Sequence, residues 1–124
     1  MTIAYWCVLI AAFLPLLSTA VAKFSGPGFN NRRPRHFQEG LTGFRQRAHW
    51  AHLNAFEAFP PFAVATIIGH QLRADQASLD LLAACFIGFR LAHLGCYLAD
   101  RPTLRSLAWA LATGCWVAMY AYAA

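Results

Sequence analysis

The stretch Thr2–Ala22, TIAYWCVLIAAFLPLLSTAVA, runs for 21 residues without one charged side chain. At about 1.5 Å per residue it would make roughly 30 Å of helix, the thickness of a bilayer's hydrocarbon core. The rest of the chain is of the same character: of its 124 residues, 59% are hydrophobic and 12% charged, on either side of the soluble averages. Working outward, apolar stretches recur at about 48–72, 77–98 and 104–123, the last with Arg105 as its sole charge. Spans at 2–22, 48–72, 77–98 and 104–123 predict an all-α, integral membrane four-helix protein, one domain over residues 1–124.

Ala20–Ala22 before Lys23 also has the form of a signal-peptide cleavage site. No Lys or Arg precedes the apolar run, however, and the run exceeds a signal core in length, so a retained helix is expected. Pro15 should bend that helix without ending it, because neighbouring helices can satisfy the freed carbonyl.

Charge sets the expected orientation. The segment 23–47 carries Lys23, Arg32, Arg33, Arg35, Arg45 and Arg47, and the loop at 99–104 adds Arg101 with Arg105 behind it. These eight basic residues share one side, against Arg73 on the other. The bias places both loops in the cytoplasm and both termini outside, periplasmic in a bacterial inner membrane. It also accounts for most of the +5 net charge, which makes lipid rather than nucleic acid the partner of the basic loop. Gly, Pro and Asn in the first half of 23–47 argue against regular structure there. The four cysteines show no paired spacing and read as buried thiols, not as a disulfide framework or metal cluster.

The second apolar stretch opens with RAHWAHLNAFEAFPPF, Arg47–Phe62. On a helix turning about 100° per residue, Arg47, Trp50, Asn54, Glu57 and Pro61 fall within roughly 80° of one another. On the third span, Arg90, His93 and Tyr97 share a face at i, i+3 and i+7. Lipid tolerates neither face, so both must point into protein or a wet cavity. One reading is a structural network, with Glu57 neutralised by Arg90 and Asn54 bonding across helices, each bond contributing about 1 kcal/mol. The other is a polar pocket for a charged small molecule, and the excess of cationic groups favours an anion.

His49 and His52 lie off that stripe and read as interfacial or subunit-contact residues. Haem ligation, which would make the protein an electron carrier, lacks a second facing pair of histidines. His70 falls at the opposite membrane edge, and Trp6, Trp116, Tyr120 and Tyr122 fit an aromatic belt.

Arg47–Phe62 resembles the second-helix signature of the MAPEG family, membrane-associated proteins in eicosanoid and glutathione metabolism: an Arg-Ala start, an Asn-x-x-Glu step, then an aromatic and proline. FRLAHLGCYLADRPTLRSLAW, Phe89–Trp109, resembles the family's other stretch, Arg-x-x-His-x-x-x-Tyr, a short loop, and Arg-Ser opening the last helix. The resemblance implies a left-handed four-helix bundle assembled as a homotrimer, with glutathione bound between subunits at the cytoplasmic side. It implies that Asn54 and Glu57 hold the glutathione backbone, that His93 and Tyr97 add contacts, and that Arg90 supports Glu57. Arg105 would stabilise the thiolate beside the Ser106 hydroxyl, and Lys23 would meet a glutathione carboxylate. No metal is implied. The implied activity is that of a glutathione transferase or peroxidase on lipophilic small molecules. The alternative is a non-catalytic membrane protein of the same fold, with a structural polar network or another anionic ligand. Two positions depart from the pattern: Trp50 replaces an arginine four residues before the Asn, removing a pocket charge, and Trp109 replaces a tyrosine. The loop before Arg105 is also one residue shorter.

Overall fold

The computed structural model describes residues 1–124 as five helices without strands: α1 (Ile3–Phe24), α2 (Pro34–Glu39), α3 (Gly43–Gln71), α4 (Gln76–Leu98) and α5 (Pro102–Ala123). Two of them, α1 and α4, are long and apolar enough to cross a membrane. The outward face of α1 agrees, since Trp6, Ile10, Phe13 and Leu17 are all exposed. Such a face is disfavoured in water and suits lipid.

Local chemistry explains the ends. Thr2 caps α1 by accepting from the Tyr5 N–H at 3.3 Å. Asp75 caps α4, taking both the hydroxyl and the main-chain N–H of Ser78 at 2.8 Å. Those bonds, the hydroxyl first, hold the Asp75 carboxyl below the usual carboxylate range. Pro102 opens α5, where a missing N–H costs nothing. Asp100 adopts φ 55° in the tight turn between α4 and α5, a left-handed conformation that aspartate tolerates.

Residues 25–33, the Gly-, Pro- and Asn-rich part of the segment between α1 and α3, form no helix, as their composition predicts, whereas the second half of the segment is ordered. It contains α2, and α3 begins at Gly43 rather than Ala48. Phe24, Phe29 and Phe37 meet edge to face at 5.2 and 5.6 Å. Gln38, buried, donates to Thr19 Oγ1 at 2.6 Å and fastens α2 to α1. Arg45 grips the end of α1, donating to the carbonyls of Ala22 and Lys23 at 3.0 Å each. Arg47 does the same for α4, reaching the Tyr97 carbonyl at 3.0 Å and the Leu98 carbonyl at 3.1 Å. Both satisfy orphan helix-end carbonyls and set a cation against the negative end of a helix dipole. Two of the loop's charges are therefore structural clamps, a role that a count of basic residues cannot reveal.

α1 packs on α3 and α4, and α5 packs on α4 and α3. The core is built of small residues, Ala4, Ala11, Ala65, Ala83 and Ala112, which let helices approach closely. Phe62 and Phe86 stack at its centre, 3.9 Å between ring centroids. Gly69 sits against Leu79, so closely that a Cβ there would lie 2.7 Å from Leu79 Cδ2. At the end away from the loop, His70 stacks on Tyr5 at 4.0 Å and bonds Thr2 Oγ1 at 3.0 Å, while Asp80 accepts the Ala4 N–H at 2.8 Å. α1 remains one helix through Pro15, whose carbonyl accepts from His52 Nδ1 at 2.8 Å.

Candidate functional site

The polar positions of α3 and α4 come together at the α3–α4–α5 junction, toward the end that carries α2. Arg90, only 4% exposed, donates from Nη2 to Asn54 Oδ1 at 2.9 Å. Asn54 in turn donates from Nδ2 to Glu57 Oε2 at 3.3 Å. The expected neutralisation of Glu57 by Arg90 is thus indirect: Asn54 stands between them as a relay. The reason is depth, because Arg90 is buried within the helices while Glu57 lies exposed at the rim. An amide can accept from one charge and donate to the other, so it links both without bringing them together.

Two cavities flank this relay and share Asn54 and Trp109. One, of about 200 Å³, is lined by Asn54, His93, Tyr97, Arg105, Ser106 and Trp109. The other, also about 200 Å³, takes in Glu57, Pro61, Arg90, Trp109 and Trp116. Trp116, read from sequence as part of an aromatic belt, lines this second cavity and meets Tyr120 edge to face at 6.3 Å. α3 continues through Pro60 and Pro61 to Gln71. Each proline withholds an N–H that would otherwise bond the carbonyl four residues back, so the carbonyls of Phe56 and Glu57 are left as acceptors near the site.

In the first cavity the Arg105 guanidinium lies over the Tyr97 ring, 4.6 Å from its centroid. His93, 3% exposed, packs edge to face on the same ring at 5.2 Å. Tyr97 is therefore pinned on three sides: Arg105 on its ring, His93 beside it, and Arg47 on its main-chain carbonyl. Arg105 stands in the first turn of α5, where unbonded N–H groups and the helix dipole add positive potential. An anionic atom entering this cavity would meet Arg105, the Ser106 hydroxyl and that dipole together.

Seven of the eight predicted site residues line these two cavities. Lys23 does not. Its ammonium lies over the Phe29 ring at 5.2 Å, at the end of α1. Trp50, one turn before Asn54, is exposed and borders neither cavity. Sequence reasoning missed the Arg47 clamp on Tyr97 and the Trp109–Trp116 wall; it expected Asn54 to bond across helices, as it does to Arg90, but not to stand between Arg90 and Glu57. A signal existed for the first alone, since a basic side chain beside a helix C-terminus can bond its last carbonyls and complement its dipole.

The MAPEG family model matches residues 3–124, nearly the whole chain, whereas no curated protein and no solved structure matches it.

Proposed function

This chain belongs to the MAPEG family, and from that premise we propose a membrane-embedded, glutathione-dependent transferase or peroxidase acting on lipophilic electrophiles. The observation that carries it is the cavity in which Arg105 and Ser106 face Asn54, His93 and Tyr97. Glutathione is a thiol with an ammonium and two carboxylates. Its ammonium suits Glu57 and the acceptor carbonyls near it, and its sulfur suits the first turn of α5. There Arg105 and the helix dipole favour the thiolate, which is the reactive nucleophile.

In the transferase reaction the thiol proton leaves to solvent and the sulfur lone pair forms the S–C bond, while the leaving group departs with its bonding electrons. In the peroxidase reaction the thiolate sulfur takes the terminal peroxide oxygen, releasing an alkoxide that is protonated to the alcohol; a second glutathione then reduces the sulfenic acid to the disulfide and water. The Trp109–Trp116 wall gives the electrophile an apolar approach from the bilayer side.

The same reading takes the protein as a multi-pass, four-span bundle in a bacterial inner membrane, termini periplasmic, assembled as a homotrimer. Support for assembly comes from Glu57 and Ser106, which are exposed in the single chain. A carboxylate at a lipid boundary is strongly disfavoured, and a second copy would cover it. Lys23 of that second copy could then approach the ligand that it does not reach within its own chain. Crosslinking in mild detergent should give trimers, and a limit at dimers would remove that arrangement.

The deciding experiment titrates glutathione into purified protein and follows thiolate absorbance and calorimetric heat, in the wild type and Arg105→Leu. With Trp50 in place of an arginine, the expected dissociation constant is about millimolar, roughly 4 kcal/mol of affinity. Heat in both proteins with thiolate in the wild type alone supports the role given to Arg105. Neither signal in the wild type at several times that concentration leaves the polar network as structural.

A further inference from the structure

Behind the site lies a much smaller cavity, of about 10 Å³, where α1, α3 and α4 meet. Its polar lining is Ser18 from α1 with Arg90 and His93 from α4, and the small Ala51 and Ala55 of α3 leave the room. Every lining residue except Leu94 is buried. Arg90 also borders the second cavity of the site and His93 the first, so both side chains stand between this space and the proposed ligand. The glutathione reading gives Ser18 no part.

The three polar groups are short of partners. Arg90 carries five N–H donors and uses one on Asn54. His93 packs its ring on Tyr97 and makes no hydrogen bond within the chain. The nitrogens of both keep access to open space, unlike His49 Nδ1, the buried side-chain atom that has neither access nor partner. Ser18, 2% exposed, donates its hydrogen to the Leu14 carbonyl at 3.1 Å, so toward the cavity its oxygen is an acceptor. Leaving such groups unbonded is costly.

Volume and hydrogen count together choose the occupant. About 10 Å³ is close to the least space that holds one ordered water, and it admits nothing larger. A small anion could accept from Arg90 but would face the lone pairs of Ser18, and a cation would face Arg90. Water satisfies both: it accepts from Arg90 and donates to Ser18, and one hydrogen remains for His93. A guanidinium bonded to the water oxygen polarises it, which strengthens its hydrogens as donors. The remaining hydrogen therefore goes to the unprotonated nitrogen of a neutral His93, and the ring's own proton sits on the other nitrogen.

We propose that this cavity holds one structural water bridging Arg90, Ser18 and His93, and that Ser18 acts through it as a positioning residue for His93. The water fixes the tautomer whose N–H is turned away from it and offered to the cavity of Arg105 and Ser106. There the N–H donates to an anionic ligand, and this last step rests on the glutathione reading.

The test is 15N NMR of the full-length protein in detergent, labelled at histidine and read without glutathione, with His93 assigned by the loss of its signals in His93→Gln. His93 should show one neutral tautomer, its unprotonated nitrogen displaced upfield by an accepted hydrogen bond, and its ring protons should show cross-relaxation with a long-lived water. Ser18→Val, whose extra methyl fills the space, should remove the cross-relaxation, return that nitrogen downfield and mix the tautomers. Ser18→Ala, a milder change to the packing, should shift the tautomer ratio while the helical circular dichroism stays that of the wild type. A doubly protonated ring, a nitrogen at the position of an unbonded ring, or wild-type spectra in both variants would overturn the water site. In a glutathione titration, Ser18→Val should raise the dissociation constant severalfold. An unchanged constant beside a changed tautomer would overturn the positioning role. No glutathione binding in a wild type that shows this tautomer would count against the glutathione reading alone.

Discussion

Arg47 on α3 donates to the main-chain carbonyl of Tyr97 on α4 at 3.0 Å, and the Tyr97 ring on its other side receives Arg105. A single residue thereby connects the clamp that closes the α4 helix end to the cation proposed to meet the thiolate. Stability and site geometry are coupled at this point.

Arg47→Ala removes two bonds from a guanidinium to helix-end carbonyls. Hydrogen bonds to charged groups contribute about 1.5–3 kcal/mol each, less where water can substitute, so a loss of about 2–3 kcal/mol is expected in thermal or denaturant unfolding. Arg47→Lys should recover less than half, because an ammonium lacks the planar fork that reaches both carbonyls. An unfolding midpoint unchanged in Arg47→Ala would refute the clamp.

The Asn54 relay predicts coupling between residues on different helices. In a double-mutant cycle of Asn54→Leu and Arg90→Met, the interaction energy should be about 1 kcal/mol, in the range of hydrogen bonds between membrane helices. Strict additivity would mean that the 2.9 Å bond contributes nothing.

Trp50→Arg restores a cation one turn before Asn54, and the glutathione reading expects affinity to rise about tenfold, or roughly 1.4 kcal/mol. Calorimetric titration beside the wild type measures this. An unchanged dissociation constant would mean that Trp50 is not what limits binding.

Gly69→Ala should destabilise by about 1–3 kcal/mol, the cost of overpacking a well-filled core. The added Cβ would meet Leu79, which is fully buried and has little room to turn away. Leu79→Val in the same chain should return part of the loss, and the two changes should be markedly non-additive.

Asp75 gives a pH dependence with a defined sign. Its folded carboxyl titrates below the ordinary range because Ser78 bonds the charged form. The cap therefore stabilises fully above the unfolded carboxylate range and fades as pH falls through the lower, folded value. Asp75→Asn can still cap but cannot ionise, so its unfolding temperature should fall less steeply on acidification. Parallel curves for the two proteins would dismiss the assignment.

What the sequence determined by itself is a matter of composition and period. An uncharged stretch the length of a bilayer, basic residues concentrated in two segments on one side, and two short motifs were enough for helical class, membrane character and family. Periodicity located five of the seven residues that line the two cavities, Asn54, Glu57, Arg90, His93 and Tyr97, because residues at i, i+3 and i+7 must share a helix face whatever surrounds them, while Arg105 and Ser106 came from the family resemblance. Partnership was another matter. That Asn54 mediates between Arg90 and Glu57, that Arg45 and Arg47 close the ends of α1 and α4, and that Trp116 shares a cavity with Glu57 and Arg90 depend on where different helices cross. Helical period fixes direction about one axis but says nothing of the depth at which a neighbouring helix presents its side chains. That depth is set by close packing at Ala and Gly contacts such as Gly69 on Leu79, and it exists only once the chain has folded.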